Sequence, residues 1–156
     1  MSFHVTRRAA TEQDDAFLYE LFKAVRLPEF AHVPIAPAQL EMLMRMQYNG
    51  QTLTYASQYS GGHEIVLLDG IPVGRIWVFR GPEAHHLVDI SLLPEYRNRS
   101  IGAGLVTEAI DAASRAGVPI RCSVAVTNSG SLRFHQRLGF RVVGQDEMYY
   151  ELAAAC

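Results

Sequence analysis

The sequence predicts an α/β protein in which a mixed, mostly antiparallel sheet of six to seven strands is flanked by helices, with residues 1–156 forming a single domain. Three observations carry that expectation. Asp69-Gly70 separates two β-rich runs, and this dipeptide supplies both positive-φ positions of a two-residue type I′ hairpin turn. Residues 17–25 and 101–116 repeat apolar side chains at helical spacing. The elements run strand, helices, three-stranded meander, helix, strand, helix, two strands. That order lacks the steady alternation of a doubly wound fold and fits a sandwich.

Taken along the chain, residues 3–8 alternate as a short strand. Thr11 stands as a helix N-cap with Asp14 three residues on, ahead of a stripe of Phe17, Leu18, Leu21, Phe22 and Val25. Leu27-Pro28 ends that helix, and Pro34-Ile35-Ala36-Pro37 makes a second break. Residues 39–59 read as a helix or a helix pair, with Leu40, Leu43, Met44, Gln47 and Tyr48 on one side and Gly50 weakening the middle. Gly61-Gly62 turns the chain into the hairpin of residues 64–68 and 71–79. Residues 86–93 form a third strand, with Val88, Ile90 and Leu92 on one face and Asp89 and Ser91 on the other, and Pro94 ends it.

Residues 101–116 form a helix on a stripe of Ile101, Leu105, Val106, Ala109, Ile110 and Ala113, with Gly117 in the C′ position. A buried strand at 118–126 and a short helix at 128–138 follow, the helix terminated by Gly139. Strands at 140–143 and 148–152 close the chain around Gly144-Gln145-Asp146-Glu147.

A chain of 156 residues that is 49% hydrophobic can bury one substantial core. Fourteen basic against sixteen acidic side chains leave a net charge of −2, so no summed field recruits nucleic acid or an anionic membrane, and a small partner is expected. Cys122 and Cys156 are too few for a disulfide framework and read as reduced thiols. No apolar segment follows the basic pair Arg7-Arg8, and no run approaches the ~18 apolar residues of a membrane span. A cytoplasmic protein is therefore expected. Asn98-Arg99-Ser100 fits the glycosylation triplet, but without a secretory signal it reads as chance. The six histidines show no metal-ligand spacing, so no metal is expected.

The chemistry lies between Leu93 and Leu105, where the chain leaves a strand, makes an arginine-rich turn and enters a helix. A helix N-terminus offers unpaired backbone N–H groups and a positive dipole end, a geometry suited to a pyrophosphate. Ser100 can serve as N-cap, Gly102 and Gly104 remove side-chain bulk, and Arg97 and Arg99 add positive charge. A capped helix start with two solvated arginines explains the same residues. No Gly-Lys-Ser/Thr follows for a P-loop, and Gly102-Ala103-Gly104 sits inside the helix rather than in a tight turn.

Residues 92–105, Leu-Leu-Pro-Glu-Tyr-Arg-Asn-Arg-Ser-Ile-Gly-Ala-Gly-Leu, resemble the acyl-CoA signature of the GCN5-related N-acetyltransferases, whose core is Arg/Gln, two residues, Gly, one residue, Gly/Ala. Arg97 and Gly102 match, and Ser100 stands where the family has its first glycine. Residues 128–140, from Asn128 through a short helix to Gly139-Phe140, resemble the family's second signature. The similarity covers most of the chain and is weakest over residues 27–62, where such enzymes differ in acceptor.

The resemblance implies the family's three-layer sandwich and acetyl-CoA as acyl-donor co-substrate. It further implies that the backbone of Leu92 and Leu93 pairs with the pantetheine arm. Arg97, Asn98, Arg99, Ser100, Ile101 and Gly102, with Ala103 nearby, would hold the pyrophosphate. Asn128, Ser131 and Phe134 would flank the pantetheine and thiol end, with Arg137 near the nucleotide. A homodimer is compatible with it.

Acyl transfer to an amine needs a neutral amine, a polarised carbonyl and a stabilised thiolate. The family often protonates the thiolate with a tyrosine in the second signature; His135 occupies that position here. The glutamate base of some members corresponds to His86, which by simple alternation shares a face with Val88, Ile90 and Leu92, and Asp89 on the other face is a second candidate. Ordinary strand-end histidines would explain His85 and His86 equally well. Tyr48, Tyr55 and Tyr59 could line an acceptor pocket with Arg45 and Glu41, or pack in the core. Three functions stay open: transfer of an acetyl group to a primary amine of a small molecule, peptide or protein; a non-catalytic acyl-CoA-binding or regulatory module; and an interaction protein without a nucleotide site.

Overall fold

The computed structural model describes residues 4–155. Phe3 and Cys156 lie outside the described residues. A seven-stranded mixed sheet runs in the order β1-β2-β3-β4-β5-β7-β6. Its strands are β1 (Val5–Ala9), β2 (His63–Leu68), β3 (Ile71–Arg80), β4 (His85–Leu92), β5 (Ile120–Ala125), β6 (Arg141–Gln145) and β7 (Tyr149–Ala154). Among the described residues four α-helices accompany it: α1 (Asp15–Arg26), α2 (Pro37–Gln58), α3 (Ile101–Ala116) and α4 (Ser129–Arg137). Of the strand pairs described, β4 with β5 is the parallel one.

The sheet separates two apolar clusters. Leu18, Tyr19 and Phe22 of α1 meet Met44 and Tyr48 of α2 over Ile65 on one face. On the other face Ile101, Leu105, Val106, Ala109 and Ala113 of α3 pack on Val66, Ile76, Leu87, Ile120 and Leu152, with Leu132 and Phe134 of α4 against them. Strand alternation sends successive side chains to opposite clusters, which is why Ile65 and Val66 divide between them.

The hairpin forms as the dipeptide predicts, with Asp69 at φ 50 and Gly70 at φ 83. Thr11 and Asp14 do build a capping box: Asp14 Oδ2 accepts from the Thr11 N–H at 2.8 Å. The box starts a short 3-10 turn, Glu12–Asp14, that runs straight into α1. Residues 37–58 are one helix rather than a pair, because Pro37 falls in its first turn, where a missing N–H costs nothing, and Gly50 lies inside without breaking it.

Two features of β4 position the site. The register jumps from Trp77↔Asp89 to Val78↔Leu87, leaving Val88 as a bulged residue without a partner on β3. The bulge shifts the alternation by one. Leu87 therefore shares the α3 face with Ile90 and Leu92, while His86, opposite Phe79, shares a face with Asp89, opposite Trp77. Simple alternation places His86 with Ile90 and Leu92; the extra residue overturns that. The second feature is a splay. β4 and β5 pair only at His85↔Ile120 and His86↔Arg121, while β5 stays paired with β7 along Ile120–Ala125. Beyond His86 the edge of β4 that faces β5 is open.

Candidate active site

The open edge of β4 leads into a groove of about 760 Å³ lined by Ile90, Leu92, the turn before α3 and the inner side of α4. Arg97, Asn98, Ser100, Gly102 and Ala103 line it from the turn and the start of α3; Asn128, Ser131, Phe134, His135 and Arg137 line it from α4 and its cap. These two segments, well separated in sequence, thus face one space. Arg99 instead stacks over the Tyr96 ring, 5.5 Å from its centroid. The Ile101 side chain enters the core, and Leu93 donates its backbone N–H to the Val73 carbonyl at 2.8 Å.

The start of α3 has the electrostatics of an anion site. Its first intrahelical bond runs from the Gly104 N–H to the Ser100 carbonyl, and the N–H groups of Ile101, Gly102 and Ala103 precede any i−4 partner. A Cβ on Gly102 would lie 3.5 Å from Phe134 Cζ and 3.7 Å from Leu92 Cδ1, so the groove floor is flush with the backbone there. Arg97 Nε donates to the Leu92 carbonyl at 3.2 Å, which ties the turn to the strand that precedes it. Ser100 does not cap the helix as its residue type suggests. It sits in the left-handed region, φ 64 and ψ 8, where an N-cap normally has extended geometry, and its side chain makes no cap bond. A left-handed non-glycine residue costs roughly 1–2 kcal/mol, a cost the glycine of the family signature avoids.

On the α4 side Asn128 caps the helix, its Oδ1 accepting from the Ser131 N–H at 3.0 Å. His135 is buried between the Phe134 and Phe140 rings, with centroids at 5.1 and 5.4 Å. Its Nδ1 lies 2.8 Å from the Ser131 carbonyl, which can only accept, so Nδ1 carries the proton and Nε2 has the lone pair in the neutral ring. Burial lowers the His135 pKa, and the bond to Ser131 offsets part of that.

The other candidates lie elsewhere. His86 packs on the Tyr59 and Phe79 rings and lines no part of the groove; burial first, and then Arg121, lower its pKa. Asp89, on the face of β4 away from the groove, lies in a separate cavity of about 120 Å³ between α1, α2 and the sheet. There Asp89 Oδ2 accepts from Arg75 Nε at 2.7 Å and from the Ser91 hydroxyl at 2.9 Å, and Arg75 Nη2 donates to Gln51 at 3.1 Å.

Tyr48 and Tyr55 line this cavity, whereas Tyr59 does not. Glu41 and Arg45 are engaged on the outer side of the helix pair: Glu41 accepts from the Tyr19 hydroxyl at 2.6 Å, and Arg45 stacks over the Tyr19 ring at 3.8 Å. Arg26, Gln51 and Arg75 were not picked out from the sequence. Arg75 left a signal, a lone charge within the apolar run of β3, which requires a buried partner.

Among the described residues no group of three His, Cys, Asp or Glu side chains could hold a metal ion, and no helix is long and apolar enough to cross a membrane. Cys122 is buried, and burial pushes its thiol up to about 12, which leaves it unreactive.

A sheet splayed open beside a helix start with unpaired N–H groups is an arrangement with room for an extended anionic ligand. The chain belongs to the acetyltransferase (GNAT) family, whose model matches residues 19–140. It is similar to an uncharacterized N-acetyltransferase of Methanocaldococcus jannaschii, 32% identical over 87 residues. That alignment takes in 51% of this chain and 38% of the relative, so the chain spans well under half the length of the curated protein it matches. In fold it resembles the PaiA N-acetyltransferase of Thermoplasma acidophilum, solved in complex with coenzyme A, with a TM-score of 0.74, 21% identity and all of both chains covered. An acetyltransferase from Thermus thermophilus is similar over 97% of each chain, with a TM-score of 0.69 and 21% identity.

Proposed function

We propose that the chain transfers an acetyl group from acetyl-CoA directly to a primary amine of a small molecule, peptide or protein, with residues 1–156 acting as one unit. The carrying observation is the groove that the N–H groups at the start of α3, the open edge of β4, and Ser131 and His135 of α4 line together. Its charged end suits a pyrophosphate, contributed by Arg97, Asn98, Ser100, Gly102 and Ala103, and its β4 edge offers backbone groups of Leu92 to a pantetheine amide. The coenzyme A complex of the Thermoplasma relative supports the same donor. A free thiol at Cys122 is in keeping with a cytoplasmic location.

In the reaction the acceptor's amine lone pair attacks the thioester carbonyl carbon, a C–N bond forms and the C–S bond breaks. An acceptor that arrives as an ammonium loses two protons in all; one ends on the thiol sulfur and the other in solvent. Asp89, across β4 from the groove, is the group assigned to accept the first; His86, the other candidate, lines neither the groove nor the cavity at Asp89 and is given no part in the step. His135 is assigned to the departing thiolate, whose developing charge favours the imidazolium form that burial otherwise disfavours.

A second reading, acyl-CoA binding without transfer, draws support from the neutral, buried His135 and the left-handed Ser100. A thiol-release assay with acetyl-CoA and a panel of amines separates the two. Amine-dependent release with a mass gain of one acetyl on the amine is the expected result. Saturable CoA binding with no release on any amine would instead establish the binding module.

A further inference from the structure

Resting on that acetyl transfer, we infer that the acceptor is a carboxylate-bearing amine of amino-acid size. It would be held in the 120 Å³ cavity across β4 from the groove, its amino group at Asp89 and its carboxylate at Arg26. Position is the first argument. Ile90 and Leu92 face the groove while Asp89 and Ser91 face the cavity, so a single strand divides the two spaces. That strand pairs with β5 at His85 and His86, so beyond His86 the backbone of β4 alone stands between the groove and the cavity. An amine at Asp89 stands one strand's thickness from a thioester laid along the β4 edge.

Charge is the second argument. The cavity is lined by two arginines and one carboxylate. Arg75 is buried and already paired with Asp89 at 2.7 Å. Arg26 stacks over the Phe22 ring at 5.2 Å and has no acidic partner among the described residues. The surplus is one positive charge. A polyamine or any other acceptor with several cations meets net repulsion there, whereas a carboxylate finds the planar fork of Arg26. The amino group has its own acceptor, because both bonds to Asp89 fall on Oδ2 and leave Oδ1 without one among the described residues.

Size and polarity complete the description. About 120 Å³ holds roughly four waters at ~30 Å³ each, which is the size of glycine or alanine and too little for a long side chain or a folded substrate surface. Leu18, Leu21 and Phe22 of α1 wall one side, which matches an apolar side chain. Tyr48 adds no free hydroxyl donor, since it donates to Asp15 Oδ1 at 2.8 Å.

The test is steady-state thiol release by the full chain at saturating acetyl-CoA, comparing apolar α-amino acids, their amides, the matched amines without a carboxylate, and spermidine. Apolar amino acids should exceed their carboxylate-free analogues at least about tenfold in kcat/KM, as expected for one charge-assisted contact. Arg26→Gln should raise the amino-acid KM about tenfold, leave kcat and the KM for acetyl-CoA within about twofold, and leave the carboxylate-free amines unchanged; Arg26→Lys should recover part of the loss. Arg26 is half-buried at a helix end, so these variants keep the fold. Spermidine or the carboxylate-free amines used as well as the amino acids, or an Arg26→Gln enzyme with unchanged KM, overturns the inference and leaves acetyl transfer standing. No release on any amine overturns the transfer reading beneath it.

Discussion

At the scale of residues, a side chain's chemistry is set by what encloses it, and His135 illustrates this. In sequence it is a histidine in a tyrosine position, able to donate a proton near neutral pH. In the fold, burial between two phenylalanine rings lowers its pKa, the Ser131 carbonyl offsets part of that, and the proton of the neutral ring sits on Nδ1. His135→Phe keeps the ring cluster and removes the imidazole. We expect kcat to fall about tenfold or more while acetyl-CoA affinity changes less than about twofold, measured by thiol release and by titration. Unchanged turnover would remove His135 from the reaction. Ser100 and Asp89 show what sequence conveys at this scale. Their positions were legible, but the left-handed backbone of Ser100 and the buried Arg75 beside Asp89 were not, because both depend on elements distant in the chain.

Among elements, β4 decides the most. Its span and its termination at Pro94 follow from the residue pattern, yet one bulged residue, Val88, moves His86 to the face of Asp89. A bulge is a property of two paired strands, and alternation along one strand does not reveal it. The β2–β3 pair carries a consequence for pH. His63 of β2 stacks on Trp77 of β3, with centroids 4.5 Å apart and planes 7° from parallel, and its Nε2 is buried without a partner among the described residues. Burial, and then Arg75, push its pKa down to about 4.

An unfolded histidine titrates near 6.5. Between pH 6.5 and 4 the unfolded chain binds a proton that the folded ring refuses, so stability falls as pH drops through that window and is unaffected above it. Melting temperatures from pH 7.5 to 4.5 should decline, and His63→Phe should make the decline shallower. An identical slope in the variant would show that His63 is not a source. Asp14, held down to about 2 by Arg8 and the Thr11 N–H, contributes its loss only below pH 3.8 and stays outside the window.

For the whole molecule, strand and helix order and the antiparallel character of most of the sheet were readable, because turn residues and period fixed each element locally. The splay was not. It lies where β5 keeps its full pairing with β7 while β4, past its bulge, stays with β3, a choice of partners no local pattern encodes. The splay turns two separate signatures, at residues 97–103 and 128–137, into the walls of one groove, and the central claim is that this groove holds coenzyme A. Calorimetric titration of the intact chain with coenzyme A, beside Gly102→Trp, tests it most directly. A Cβ at residue 102 makes only ordinary contacts, with Phe134, Leu92 and Ile90 on the groove lining, so an indole there takes up groove space, and the apo melting temperature checks that the variant keeps its fold. The wild type should bind saturably and the variant at least about tenfold more weakly, at unchanged apo melting temperature. Equal affinity in the two proteins, or no binding by the wild type, would contradict it.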